Sequence, residues 1–177
     1  MPNYRRNRIP GATYFFTVNL RDRRSGLLVT QIDALREAVR NVCEQSPFHT
    51  DAWVVLPDHM HCLWTLPETD SDFPDRWRRI KAGFSKSLPN ITQGSGGRLH
   101  KGERGIWQRG YWEHTIRDDR DYTAHMDYIH FNPVKHGLTQ DPSDWSFSSF
   151  RRCVAAGLYP AGWLGGDVEP LETGDRQ

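Results

Sequence analysis

The stretch from Ala52 to Leu66, AWVVLPDHMHCLWTL, constrains the fold more than any other part of the chain. Two apolar runs rich in β-branched and aromatic residues flank Pro57 and Asp58, so the segment predicts two strands joined by a tight hairpin connection. In the second arm Met60, Cys62, Trp64 and Leu66 form an apolar row, while His59 and His61 project from the opposite face. That strand therefore has a core face and a polar face.

The remaining elements follow from periodicity. Thr13 to Leu20 (TYFFTVNL) is β-branched and aromatic and reads as a strand. From Ile32 the apolar positions Leu35, Ala38, Val39 and Val42 recur at helical spacing until Pro47 ends the pattern. A second helix is expected over roughly Pro74 to Leu88, with Trp77, Ile80, Lys81 and Phe84 on one face. The Gly-rich, basic stretch at about 89–105 has no periodicity and reads as a flexible loop. IWQRGYWEHTI, Ile106 to Ile116, is expected to be a strand. DDRDYTAHMDYIHFN is expected to be a helix that starts on acidic residues and stops at Pro133. Past Gly137 turns are expected, and from residue 156 to 177 an irregular, disordered tail. The order strand, helix, strand, strand, helix, strand, helix predicts an α+β, ferredoxin-like arrangement, a mainly antiparallel sheet with packed helices.

A length of 177 residues suits one domain with its own core, here taken as 1–155 plus the tail. Cys43, Cys62 and Cys153 are odd in number and far apart, which argues against a disulfide framework and for a cytoplasmic location. No apolar run approaches the ~18–20 residues of a membrane span, so no membrane partner is expected. The net charge of +1 hides two basic regions, one at the front of the chain and one from Arg76 to Arg109. Arg5, Arg6, Arg21, Arg23, Arg24, Arg78, Arg79, Lys81, Arg109 and Lys135 are the candidates for binding a polyanion, with solvated charged faces as the alternative.

Two places carry chemistry. His59 and His61 on one strand face suit a shared metal, which keeps both rings neutral; a surface pair beside a hairpin turn is the alternative. On the helix, Tyr122, Met126 and Ile129 form a core stripe, and His125, Tyr128 and Asn132 fall together on a neighbouring face. A phenol there can attack phosphorus, and an amide oxygen four residues on can reach a metal beside the same phosphate. The alternative for Tyr128 is an amphipathic packing residue.

The segments Ala52 to Trp64 (AWVVLPDHMHCLW) and Asp127 to Leu138 (DYIHFNPVKHGL) resemble the two signature blocks of the REP-associated tyrosine transposases, a one-tyrosine branch of the HUH endonucleases. The similarity also takes in Tyr14 to Arg24, Trp107 to Arg117 and Asp144 to Ser149. It implies an active site between the strand bearing HMH and the helix bearing the tyrosine. His59, His61 and, as third ligand, Asn132 would hold Mg²⁺ or Mn²⁺. Tyr128 would be the nucleophile of a 5′-phosphotyrosine intermediate, with His125 a candidate proton acceptor. The implied substrate is single-stranded DNA carrying hairpins of repetitive extragenic palindromes, handled by a nucleoid-associated monomer or homodimer. Two other readings compete: a hairpin-binding module without catalysis, and a ββα-metal nuclease that uses water.

Overall fold

A computed structural model describes residues 6–89, 104–166 and 168–175. Arg5 and residues 90–103 of the Gly-rich loop lie outside them. In chain order the elements are β1 (Thr13–Asn19), α1 (Leu27–Thr30), α2 (Ile32–Gln45), β2 (His49–Val55), β3 (His59–Thr65), α3 (Phe73–Ser87), β4 (Trp112–Thr115), α4 (Asp119–Lys135), a 3-10 turn (Pro142–Asp144) and α5 (Phe150–Ala155). The strands form one sheet in the order β2-β3-β1-β4 with every pairing antiparallel. This is the expected α+β, ferredoxin-like sheet.

Alternation along β1 assigns the two faces. Tyr14, Phe16, Val18 and Leu20 meet Met60, Cys62 and Trp64 of β3 under α2 and α3, where Trp77, Ile80 and Phe84 close the core. Trp64 and Trp77 stack at 4.3 Å between ring centroids. On the other face Phe15, Ala52, Val54 and Leu63 pack against Met126 and Ile129 of α4 and Phe150 and Cys153 of α5. The sheet is thus sandwiched between two helical layers, and α4 covers the face that carries the histidines. The exposed edge of β2 is met by residues 147–149, through Val55 N–H to Phe147 O (2.8 Å) and Ser149 N–H to Trp53 O (2.9 Å), which removes a free strand edge.

Four expectations need correction. The strand foreseen over Ile106 to Ile116 is confined to Trp112–Thr115, because Gly110 sits at φ +74° and breaks the extended run; Trp107 contributes only an isolated bridge to Leu20. The helix does not stop at Pro133 but runs through it to Lys135. A proline so near the C-terminal end removes a single hydrogen-bond donor, and the turn that ends the helix is made at Gly137, φ +67°. Past Gly137 the chain is not only turns, since α5 forms there. The tail is irregular but not loose: Tyr159 is buried, Trp163, Val168 and Leu171 pack on the α4 side of the core, and Thr173 is 4% exposed.

Candidate active site

The register of β1 against β3 sets the floor of the site. Thr17 lies opposite His61 and Asn19 opposite His59, all on the sheet face toward α4. Both imidazoles are buried, and both have one nitrogen occupied. His59 Nδ1 lies 2.8 Å from Asp58 Oδ1. Burial pushes the Asp58 carboxyl up, but its bond to His59 and the charges of His59 and Arg23 outweigh this and hold it below the usual range, so it accepts the proton carried by His59 Nδ1. His61 Nδ1 lies 2.8 Å from Thr17 Oγ1, whose own proton goes to the Thr173 carbonyl; Thr17 must therefore accept from His61 Nδ1–H. With Nδ1 occupied in each ring the atom left for a ligand is Nε2, and both Nε2 atoms are buried without a hydrogen-bond partner among the described residues. Burial and the neighbouring His59 hold His61 well below the usual imidazole range, hence neutral. Partners that fix the tautomer and leave Nε2 bare are what a metal-ligating histidine requires.

α4 supplies the other wall. It starts at Asp118, whose side chain accepts from Asp121 N–H, and carries Tyr128, Asn132, Lys135 and His136 at spacings that share one face. The Tyr128 ring centroid is 5.2 Å from that of His61. Its hydroxyl accepts from Lys135 Nζ (3.0 Å) and Thr173 Oγ1 (2.9 Å) and donates to Asp175 Oδ2 (3.2 Å). Both amide atoms of Asn132 are buried and unpartnered among the described residues. His136 follows one turn later, its ring 5.1 Å from that of His59.

Asp175 completes the arrangement from the tail. Its side chain is 1% exposed and lies 3.1 Å from His136 Nε2, 3.3 Å from Lys135 Nζ, and 3.6 Å from both His59 Nε2 and Arg23 Nη2. Burial pushes this carboxyl up, yet the His136 bond and the surrounding positive groups outweigh it and keep it ionised. Ligand atoms of His59, His136 and Asp175 all lie within 4.8 Å of one another. Unpartnered nitrogen on His59 and His61, unpartnered oxygen on Asn132 and Asp175, and a nearby His136 form a mixed imidazole and oxygen donor set suited to a divalent cation.

His125 does not reach the phenol. Its Nδ1 donates to the Asp121 carbonyl at 2.8 Å, its ring stacks on His114 at 4.7 Å, and Phe15 packs against both His125 and Tyr128. His114, Asp121 and His125 form a second acidic and imidazole group, but Arg117 already binds the Asp121 carboxylate through its backbone N–H (3.0 Å) and Nε (3.2 Å). It is a satisfied ion-pair network.

The basic candidates divide. Arg23 pairs with Asp58 at 2.8 Å, and Lys135 belongs to the tyrosine. Arg6 bridges to Glu113 at 3.0 Å, Arg24 pairs with Asp22, and Arg79 bonds Ser46 Oγ. Arg21, Arg78, Lys81 and Arg109 gather in one cleft. The sequence assigned no role to Thr17, Thr173 or Asp175, and gave Asp58 one only under the competing ββα-metal nuclease reading. His136 likewise entered only under that reading, with the helix ended at Pro133.

Residues 11–132 match the family model described as transposase IS200 like. The chain is 52% identical over 176 residues to a REP-associated tyrosine transposase of Escherichia coli, covering 99% of this chain and 98% of that one. A counterpart in Haemophilus influenzae is 45% identical over 99% of each chain. A solved structure of a REP-associated tyrosine transposase bound to a REP hairpin superposes with a TM-score of 0.88 at 51% identity, covering 100% of this chain and 99% of that one.

Proposed function

Since the chain belongs to the REP-associated tyrosine transposases, DNA endonucleases and strand transferases of the IS200-like family, we propose that Tyr128 is its nucleophile and that His59 and His61 hold its divalent metal. The substrate we propose is single-stranded DNA folded into palindromic hairpins, the ligand of the related solved structure. The observation that carries the reading is the placement of the Tyr128 phenol beside two imidazoles whose Nε2 lone pairs are bare, with a lysine ammonium on the phenol oxygen.

In this reading Tyr128 Oη attacks the scissile phosphorus, the bond to the 3′ oxygen breaks, and a 5′-phosphotyrosine ester forms. The 3′-hydroxyl leaves with a proton. A second 3′-hydroxyl reverses the step and joins new strands, so no nucleotide cofactor is consumed. A free phenol has a pKa near ~10 and is a poor nucleophile at neutral pH. Lys135 and Thr173 each donate to its oxygen and hold it in place, and the phenolic proton points toward Asp175. Burial alone would lower the Lys135 pKa, but its bond to Tyr128 and the charge of Asp175 raise it, so Lys135 acts as a cation and not as a base. Mg²⁺ or Mn²⁺, when bound, supplies Lewis-acid polarisation of the phosphate oxygens. Asn132, His136 and Asp175 are the candidates for completing its ligand set beside His59 and His61. Asp58 and Thr17 hold the two imidazoles in the tautomer that binding needs. The tail carboxylate lies among the cations that an incoming phosphate would seek, so substrate entry competes with Asp175 for Arg23 and Lys135. Residues 1–155 and the tail thus work as one unit, and the division near 155 marks a change in regularity.

The test is denaturing electrophoresis of parent and Tyr128→Phe after incubation with labelled single-stranded hairpin DNA and Mn²⁺. A metal-dependent protein-linked band that vanishes in the variant is expected. Cleaved DNA without that band means that water is the nucleophile and overturns the reading.

A further inference from the structure

The back of α4, the side away from Tyr128, carries a chain of hydrogen bonds that the reaction does not use. At about 100° per residue, Tyr122, Asp127 and His130 all fall at least ~100° around the helix from Tyr128. Tyr159 Oη donates to Asp127 Oδ1 (2.9 Å), so it accepts from His130 Nδ1–H (3.1 Å). With its proton on Nδ1, the His130 ring accepts at Nε2 from Ser149 Oγ–H (2.8 Å). Ser149 Oγ in turn accepts from the Trp53 N–H of β2 (2.9 Å), while its contact to the Trp53 carbonyl is the longer one (3.2 Å). Burial and the charge of Arg152 push the His130 pKa down to about 3, so the ring stays neutral and the direction of each bond holds.

Serine, histidine and carboxylate in series are also the parts of an acyl-transfer site, but these are closed to a substrate. His130 is wholly buried, Ser149 is 5% exposed, and its oxygen is already held by the Trp53 N–H. Burial also pushes the neighbouring Cys153 thiol up, away from the thiolate. The chain of bonds acts instead as a tie. Tyr159 grips Asp127 and His130 together, and Ser149 links His130 to β2. Tyr122 makes a second tie to the same strand through Asp51 Oδ1 (2.9 Å), about 12 Å along the axis from His130. Two ties on one strand, both on the far side, resist rotation of the helix about its own axis. A phenol oxygen stands about 9 Å from that axis, so a turn of about 10° carries it through roughly 1.5 Å. A misplacement of ~1 Å can cost on the order of 100-fold in rate.

We propose that His130 is a positioning residue for the nucleophile: it ties α4 to Tyr159 and, through Ser149, to the backbone of β2, and so fixes the rotation that holds the Tyr128 phenol beside His61. This rests on the reading of Tyr128 as nucleophile and adds what aims it. Removing the Tyr159 hydroxyl cuts the tie with the loss of one atom and leaves that ring packed on Phe150 and Trp163.

The experiment measures single-turnover formation of the covalent adduct on labelled single-stranded hairpin DNA with Mn²⁺ across protein concentrations, which separates the maximal rate from the half-saturating concentration. Tyr159→Phe deletes the hydroxyl; His130→Gln keeps an acceptor for Ser149 and loses the bond to Tyr159. Each should lower the maximal rate at least about tenfold, with the half-saturating concentration within about twofold of the parent, at a temperature where circular dichroism shows every chain folded. Because both cut one link, the double variant should fall no more than about threefold below either single. Asp127→Asn keeps an oxygen for the Tyr159 proton and, as the conservative variant, should stay within about threefold of the parent rate. A maximal rate that holds in Tyr159→Phe while the melting temperature falls means a purely structural tie and overturns the proposal, as does a loss of affinity as large as the loss of rate. Should His130→Gln not fold, Tyr159→Phe carries the test. Fluorine NMR of protein with 3-fluorotyrosine at position 128 alone reads the aim without chemistry. Its resonance should move in Tyr159→Phe and stay in Asp127→Asn; an unmoved resonance in Tyr159→Phe overturns the proposal whatever the rate. A parent that forms no adduct sinks the Tyr128 reading, and movement of that resonance then leaves the tie standing.

Discussion

Replacing Thr17 by valine preserves the shape of the side chain and deletes one hydroxyl on which two parts of the site depend. In the parent that hydroxyl accepts from His61 Nδ1–H and donates to the Thr173 carbonyl, and Thr17 is fully buried. In the variant His61 Nδ1–H has no acceptor, and an unsatisfied buried donor costs about 1–3 kcal/mol. For a chain of this size each kcal/mol shifts Tm by about 2–4 °C, so calorimetry should show a fall of roughly 2–12 °C. The second consequence concerns the metal. With Nδ1 unfixed the ring no longer presents Nε2 preferentially, and loss of such an orienting partner weakens metal affinity by about 10–100-fold. Isothermal titration with Mn²⁺ reads this directly, and Thr17→Ser should restore both quantities to near the parent values. A valine variant that loses stability yet binds Mn²⁺ within threefold of the parent would refute the tautomer argument and, with it, His61 as a ligand.

Lys135→Gln removes the cation from the phenol oxygen, so the rate of covalent adduct formation should drop by at least about tenfold and by more than hairpin affinity does; single-turnover kinetics beside anisotropy separate the two. A loss confined to affinity would return Lys135 to the list of phosphate contacts. Asp121 is pushed up by burial, but its bonds from His114 and Arg117 outweigh that and hold its pKa down to about 2. A carboxyl lowered on folding adds stability above its unfolded pKa and loses it as pH falls through the folded one. Asp121→Asn should therefore be less stable than the parent by on the order of 2 kcal/mol at neutral pH, with the gap closing from about pH 4 to about pH 2 in urea titrations. A constant gap across that window would mean that the loss is steric. Trp77→Ala empties the place where Trp64, Phe16 and Tyr111 meet and should cost about 3–5 kcal/mol in denaturant midpoints, whatever the state of the active site.

The parts of the site that depend on periodicity were legible in the sequence. Alternation about Pro57 and Asp58 placed His59 and His61 on one face of β3, and helical spacing put Tyr128 and Asn132 together on α4. The resemblance of the two blocks, not spacing, singled out the tyrosine. Legibility failed at two kinds of place. Pro133 reads as a helix stop because an interior proline is costly, yet one turn from the end it removes a single donor, and continuation through it brings Lys135 and His136 to the site. Asp175 and Thr173 lie on a segment without helix or strand, where no periodic signal says which residue will point inward. His125 shows the converse limit. It shares a helix with Tyr128 at three-residue spacing, but the depth of Phe15 between the rings and the pull of Asp121 direct it elsewhere.

One consequence of α4 bears on how such a chain can change over time. Tyr128, Asn132 and Lys135 stand on one helix and His136 caps it, so their separations are fixed by its rise, and a residue inserted between Tyr128 and His136 would swing those beyond it by about 100°. That part of the molecule admits no variation in length. The turn at Gln108 to Gly110 that rims the basic cleft is under no such restraint, for it joins elements without setting any distance within the reacting group. Length can therefore vary in that turn without moving the side chains of α4 relative to one another.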